Sequence, residues 1–215
     1  MAKVSHSIVL TFFFIFCITV GTVESLTDTG RHSRRSRART FIEASCRSTS
    51  YPALCIKCLT GHINSTTPNL QQLARTALTM SLYRARYTRS YLVNVAKDLR
   101  AMKSKEYRLV RDCLLQIDDS VNQLSQSIRE LQRLDPKAKM TDDIFWHIDN
   151  VDSWVSAALT DASSCVDEFP GHRMSKMKAT IKSKVLNVAQ LTSNALALFH
   201  QYSARYRGAA IEQHP

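Results

Sequence analysis

The residues whose types could do chemistry in this chain are its six cysteines, its seven histidines and two runs of paired aspartates. Cys55 and Cys58 form a Cys-x-x-Cys, the spacing of a redox dithiol or of half a zinc site. Such a dithiol belongs in a βαβ setting, and a zinc site needs a second ligand pair at similar spacing; the surrounding sequence offers neither. His32, His62, His147, His172, His200 and His214 are scattered, mostly near joints or ends, and none falls in a nucleophile or metal-ligand pattern. Asp118-Asp119 and Asp142-Asp143 are adjacent, so on a helix their carboxylates point about 100° apart and do not converge on one ligand. A Gly-rich phosphate loop and a Gly-x-Ser-x-Gly elbow are both missing. The expectation is a chain with no catalytic residue, no metal site and no cofactor, whose work is binding.

The sulfurs then read as structure, and compartment decides their state. Lys3, an apolar run from Ile8 to Val20 and small residues around Ser25 read as a secretory signal over residues 1–25. The run is shorter than the roughly 20 residues a spanning helix needs, and no later segment is apolar enough to span. An exported protein without a membrane span is expected. Cys17 leaves with the signal, and the remaining cysteines enter an oxidising path. For each choice of an odd cysteine the other four can pair in three ways. Cys46 and Cys55 are close enough in sequence to clamp a short hairpin. Cys113 and Cys165 lie far apart, each inside a long amphipathic stretch, and suit a seam between two helices. Cys58 is then the free cysteine, a small buried apolar residue, with a slipped Cys46–Cys58 bond as the alternative.

The elements that must carry these residues are helical. Residues 26–40, with five arginines between Arg31 and Arg39, are too polar to hold a fold and read as a basic disordered arm. Pro52, Gly61, Pro68, Pro136, Pro170 and Gly171 mark joints. Between them run four apolar stripes. The first takes in Leu70, Leu73, Ala77, Met80, Tyr87, Tyr91, Val95, Leu99 and Met102. The second runs through Val110, Cys113, Ile117, Val121, Leu124, Ile128, Leu131 and Leu134. The third is Ile144, Ile148, Val151, Val155, Ala158, Ala162 and Cys165, and the fourth Met177, Ile181, Val185, Val188, Leu191, Ala195, Leu198 and Tyr202. Four such stripes with short links predict an all-α fold, an antiparallel up-down-up-down four-helix bundle preceded by a short disulfide-clamped helical hairpin. The domain covers residues 41–206, with the hairpin at 41–66, the bundle at 68–206 and a tail at 207–215. Pro68 and Asn69 suit the start of the first long helix, and Thr141 with Asp142 and Asp143 that of the third.

Charge is distributed unevenly. The chain carries +11, yet Thr141–Phe169 holds seven acids and no lysine or arginine, which puts −7 there and +18 on the rest. Asp161, Asp167 and Glu168 crowd the end of the third long helix, where the dipole disfavours anions by about 0.3–1 kcal/mol each. Either Arg111 or Lys182 on neighbouring helices offsets that charge, or the helix is a docking face for a basic protein. Asn64-Ser65-Thr66 is a glycosylation sequon in the joint after the hairpin.

Four segments are more specific. Phe41-Ile-Glu-Ala-Ser-Cys46, Tyr51-Pro-Ala-Leu-Cys55, Asp112-Cys113-Leu114 and Trp154-Val-Ser-Ala-Ala-Leu-Thr-Asp-Ala-Ser-Ser-Cys165 resemble the plant invertase and pectin methylesterase inhibitor family, over about Phe41 to Tyr206. The resemblance implies the same fold and the pairing Cys46–Cys55 with Cys113–Cys165. It also implies a secreted, non-catalytic inhibitor that occludes the substrate cleft of a cell-wall enzyme in the apoplast. Invertase inhibitors of the family insert a Pro-Lys-Phe motif between the second and third long helices. Here the joint reads Pro136-Lys137-Ala138, so pectin methylesterase is the expected partner and invertase the alternative. Ser164 stands where relatives often have Thr, which keeps the hydroxyl. The expected partner-binding residues are Asp149, Asp152, Thr160, Asp161 and Ser164. A reading of another class is a basic wall protein that holds acidic pectin through the Arg31–Arg39 arm and its basic helices. Export and the lack of a recognition motif oppose a nucleic-acid partner.

Overall fold

A computed structural model describes residues 36–63, 67–134, 142–169, 171 and 174–213, with side chains as far as residue 206. Among the described residues there are six helices: α1 over residues 36–46, α2 Pro52–His62, α3 Leu70–Ala101, α4 Tyr107–Leu131, α5 Asp142–Asp167 and α6 Lys176–Gln213. No strand occurs among the described residues. The expected signal, Asn64, the Pro136-Lys137-Ala138 joint and the expected cap Thr141 lie outside them.

Helices α3 to α6 pack as a four-membered ring, each against its two neighbours in sequence order, with α3 closing on α6. The pairs run antiparallel. Gln71 at the start of α3 donates to the carbonyl of Leu134 beyond the end of α4 (3.0 Å), and Ser120 of α4 donates to that of Ala158 of α5 (3.0 Å). Ser81 of α3 meets Thr192 of α6 at 2.6 Å. The α1–α2 hairpin docks on α6 through Asn194, which accepts from the Tyr51 N–H (3.0 Å) and donates to the Tyr51 carbonyl (2.9 Å). Cys46 is bonded to Cys55 and Cys113 to Cys165, while Cys58 is free. Burial raises the Cys58 pKa, against a smaller lowering by Arg84, so this thiol holds its proton and is a poor nucleophile.

Local sequence explains the ends. Asn69 caps α3 by accepting from the Gln72 N–H at 2.8 Å, and Pro52 opens α2 where a missing N–H costs nothing. At its far end α3 closes with Lys103 in the left-handed region (φ 52°). The N–H of Ser104 bonds the Leu99 carbonyl and that of Lys103 the Arg100 carbonyl, the pairing usually built on glycine. Gly61 lies inside the last turn of α2 rather than in a joint.

Every residue of the third expected stripe is buried. At about 1.5–3 kcal/mol for each large aliphatic side chain, this burial is what holds α5 in the ring. The fourth stripe is buried from Ile181 to Tyr202, with Met177 only partly so. The α4 seam instead runs through Ser120 and Ser127, with Val121 and Ile128 beside it. On α3 the correction is larger: Ser81, Ala85, Thr88 and Leu92 face inward, whereas Tyr87 and Met102 are exposed and Met80 and Tyr91 half-buried. Small side chains let α3 approach α6 closely, and the tyrosines do not fit that gap.

Two boundaries also move. Helix α1 begins at residue 36, inside the stretch expected to be disordered. Arg39 pairs with Glu43 one turn on (2.8 Å), Thr40 bonds back to the Ser36 carbonyl, and Ala38 is buried. Helix α6 continues to Gln213, through most of the expected tail.

Candidate functional site

Because the α5 core stripe alternates steps of three and four, the opposite side of that helix forms an equally regular outward strip. Trp146, Asp149, Ser153, Thr160, Ser164 and Asp167 stand exposed along it. From Asp149 to Ser164 the strip is about 22 Å long at 1.5 Å per residue. Its middle is lined by small hydroxyl residues, so a partner surface can come close to the helix backbone there. Thr160 Oγ1 donates back to the Ser156 carbonyl at 3.0 Å, which leaves an oxygen lone pair outward.

Of the five residues expected to bind a partner, Asp149, Thr160 and Ser164 share this strip. Asp152 and Asp161 do not. Asp152 lies on the α6 flank and pairs with His200 Nε2 at 2.5 Å. Asp161 lies on the α4 flank. Burial is the main cause that raises its carboxyl pKa, and Asp119 raises it further, against a hydrogen bond from Gln123 that lowers it. The flanks of the strip thus belong to the bundle and its crest to solvent.

The acids of α5 are not neutralised by the expected bases. Arg111 bonds Asp112 on its own helix at 2.9 Å. Lys182 Nζ donates to the backbone carbonyl of Phe169 at 2.7 Å, a cation at the negative end of α5 that contacts no carboxylate. Glu168 accepts from Gln116 Nε2 at 3.0 Å. Among the described residues, the bases within ion-pair distance of an α5 carboxylate are histidines, His147 to Asp143 and His200 to Asp152. No lysine or arginine does so.

Two features escaped the sequence. Trp146 is 57% exposed at the head of the strip, its ring edge against His147 with centroids 5.1 Å apart. Exposed tryptophan in such a place is the residue type most often dominant in protein interfaces. Spacing alone did not single it out, since Phe145, Trp154, Leu159 and Val166 also fall off the core stripe and are half-buried. The second is Glu130, buried at the end of α4 between Arg133 (2.9 Å) and His147 (3.0 Å). It stands among the polar residues Arg129, Gln132 and Arg133 at the end of α4, where nothing in the spacing marks it as buried. Glu130 ties α4 to α5 beside their joint.

Among the described residues no cluster of three histidine, cysteine or acidic side chains could hold a metal ion, and no helix is long and apolar enough to cross a membrane. The cavity beneath Cys58, between Cys55, Leu59, Ala77 and Leu198, is about 10 Å³, too small for a ligand.

A family model described as plant invertase/pectin methylesterase inhibitor matches residues 40–198. Pectinesterase inhibitor 9 of Arabidopsis thaliana is 38% identical over 193 residues, covering 89% of this chain and 94% of that protein. Pectinesterase inhibitor 11 of the same plant is 34% identical over 195 residues, covering 90% and 96%. The crystal structure of a mutant form of a pectin methylesterase inhibitor from Arabidopsis superposes with a TM-score of 0.56 at 22% identity, over 72% of this chain and 92% of the other. That likeness is one of fold.

Proposed function

The chain belongs to the plant invertase/pectin methylesterase inhibitor family, and from that premise we infer that it is a secreted, non-catalytic inhibitor of pectin methylesterase. It acts in the apoplast as a stoichiometric partner that lays the α5 strip across the enzyme's substrate cleft. The single observation that carries this reading is the uncompensated acid of α5 within a strongly basic molecule. A helix whose carboxylates meet no lysine or arginine among the described residues is suited to meet those of another protein. Trp146 supplies an apolar anchor at one end, and the small hydroxyl residues supply hydrogen-bonding groups along the middle. The names of the similar Arabidopsis inhibitors support pectin methylesterase over invertase as the target.

The test is a titration of the secreted chain into a plant pectin methylesterase and, separately, into a cell-wall invertase. The expected result is a linear fall in esterase activity to an equivalence point at equimolar inhibitor, with invertase unaffected. Esterase activity that persists at excess inhibitor overturns the assignment.

A further inference from the structure

Diagonal to α5 in the ring, α3 together with α6 builds a surface of opposite character. Across these two helices the carboxylates are Asp98 and Glu212 alone, against arginines and lysines along both. Tyr83, Tyr87 and Tyr91 follow one another at single-turn spacing on the outer side of α3, the first two 61% and 50% exposed. Lys184 reaches across from α6 and places its ammonium 4.7 Å from the centre of the Tyr87 ring and 4.9 Å from that of Tyr91. Arg84, one turn before Tyr87 and two before Tyr91, has a buried Nε with no hydrogen-bond partner among the described residues. Neither Arg84 nor Lys184 pairs with a carboxylate among the described residues.

An ammonium held between two ring faces is fixed before any ligand arrives, since each such contact contributes about 0.5–1 kcal/mol at an exposed site. Binding to it therefore loses less side-chain entropy than binding to a free lysine. The groups open to a ligand are the exposed phenols of Tyr83 and Tyr87 and the remaining N–H donors of half-buried Lys184, with the half-buried Arg84 adding positive charge beside them. We propose that the Tyr87–Lys184–Tyr91 cradle, flanked by Tyr83 and Arg84, binds a linear acidic polysaccharide whose sugar carboxylates meet the cations and whose hydroxyls meet the phenols. A nucleic acid fits less well, because single strands are held by bases stacked on open aromatic faces. Here the ammonium occupies the faces of Tyr87 and Tyr91. The cradle lies on the far side of the bundle from the α5 strip, so polysaccharide and enzyme can be held together. It goes beyond the inhibitor assignment and does not depend on it.

The test is isothermal calorimetry of the full secreted chain with an oligogalacturonate bearing free carboxylates, with the same oligomer methyl-esterified, and with single-stranded DNA. The free acid is expected to bind, with affinity falling as salt rises, and esterification is expected to abolish binding. Lys184→Ala is expected to weaken binding about tenfold, the loss of one charge-assisted contact. Tyr87→Phe with Tyr91→Phe keeps the ring packing and is expected to cost about threefold through the hydroxyls alone. Replacing Arg31, Arg34, Arg35 and Arg37 by Ser is expected to change little. Three results overturn the proposal: unchanged affinity in both cradle variants, loss of binding in the arm variant instead, or DNA bound as tightly with the same Lys184 dependence. Esterase inhibition is measured on Lys184→Ala alongside and is expected to be unchanged, which keeps failure of the cradle distinct from failure of the inhibitor reading.

Discussion

Asp161 shows how one residue can be drawn from a binding face into the bundle's own energetics. Its raised pKa, caused mainly by burial, means that the folded chain takes up a proton more readily than the unfolded one. Stability linked to this group is present in full below the ordinary aspartate value near 3.9 and is lost as pH rises through the higher folded value. Asp161→Asn is therefore expected to stabilise the fold at pH 7 by under about 1 kcal/mol after solvent screening, read as a raised thermal midpoint. The gain should shrink to nothing as the pH drops below about 3.9. A gain that is the same at both pH values contradicts the assignment. Charge counting along the sequence found Asp161 as one of seven acids. It could not separate Asp161 from Asp149, because that requires knowing where α4 brings Gln123 and Asp119.

At the scale of elements, the turn between α3 and α4 was the least visible joint, since it contains neither proline nor glycine. The chain makes it with Lys103 at positive φ, where a side chain costs about 1–2 kcal/mol that glycine avoids. Allowing for glycine's greater freedom when unfolded, Lys103→Gly is expected to stabilise by about 0.5–1 kcal/mol in urea denaturation. The two crosslinks make a second comparison. In the chain-entropy model, Cys46→Ala with Cys55→Ala should cost about 2.7 kcal/mol and Cys113→Ala with Cys165→Ala about 4.1 kcal/mol, read from denaturation midpoints. The α5 stripe was fully legible because all its inward residues are apolar. The α3 and α4 seams were only partly so. Hydropathy favours Tyr87 over Thr88 and Val121 over Ser120, while packing at a close helix crossing selects the smaller partner.

For the molecule as a whole, the separation of charge is the property that organises its surfaces. The acidic α5 faces one way, and the lysines, arginines and tyrosines of α3 and α6 face the other, with two crosslinks and a close-packed core fixing the angle between them. The imbalance itself was readable from composition along the chain. What could not be read was which acids would be neutralised internally, because Lys182 and Arg111 were equally plausible partners until their contacts were known. The crest of α5 is the surface we propose to meet the enzyme. The most direct test is inhibition of pectin methylesterase by the chain carrying Thr160→Arg with Ser164→Arg, two exposed positions whose replacement leaves the core untouched. Inhibition should weaken by at least about tenfold with the thermal midpoint unchanged. Undiminished inhibition by that variant would contradict the account.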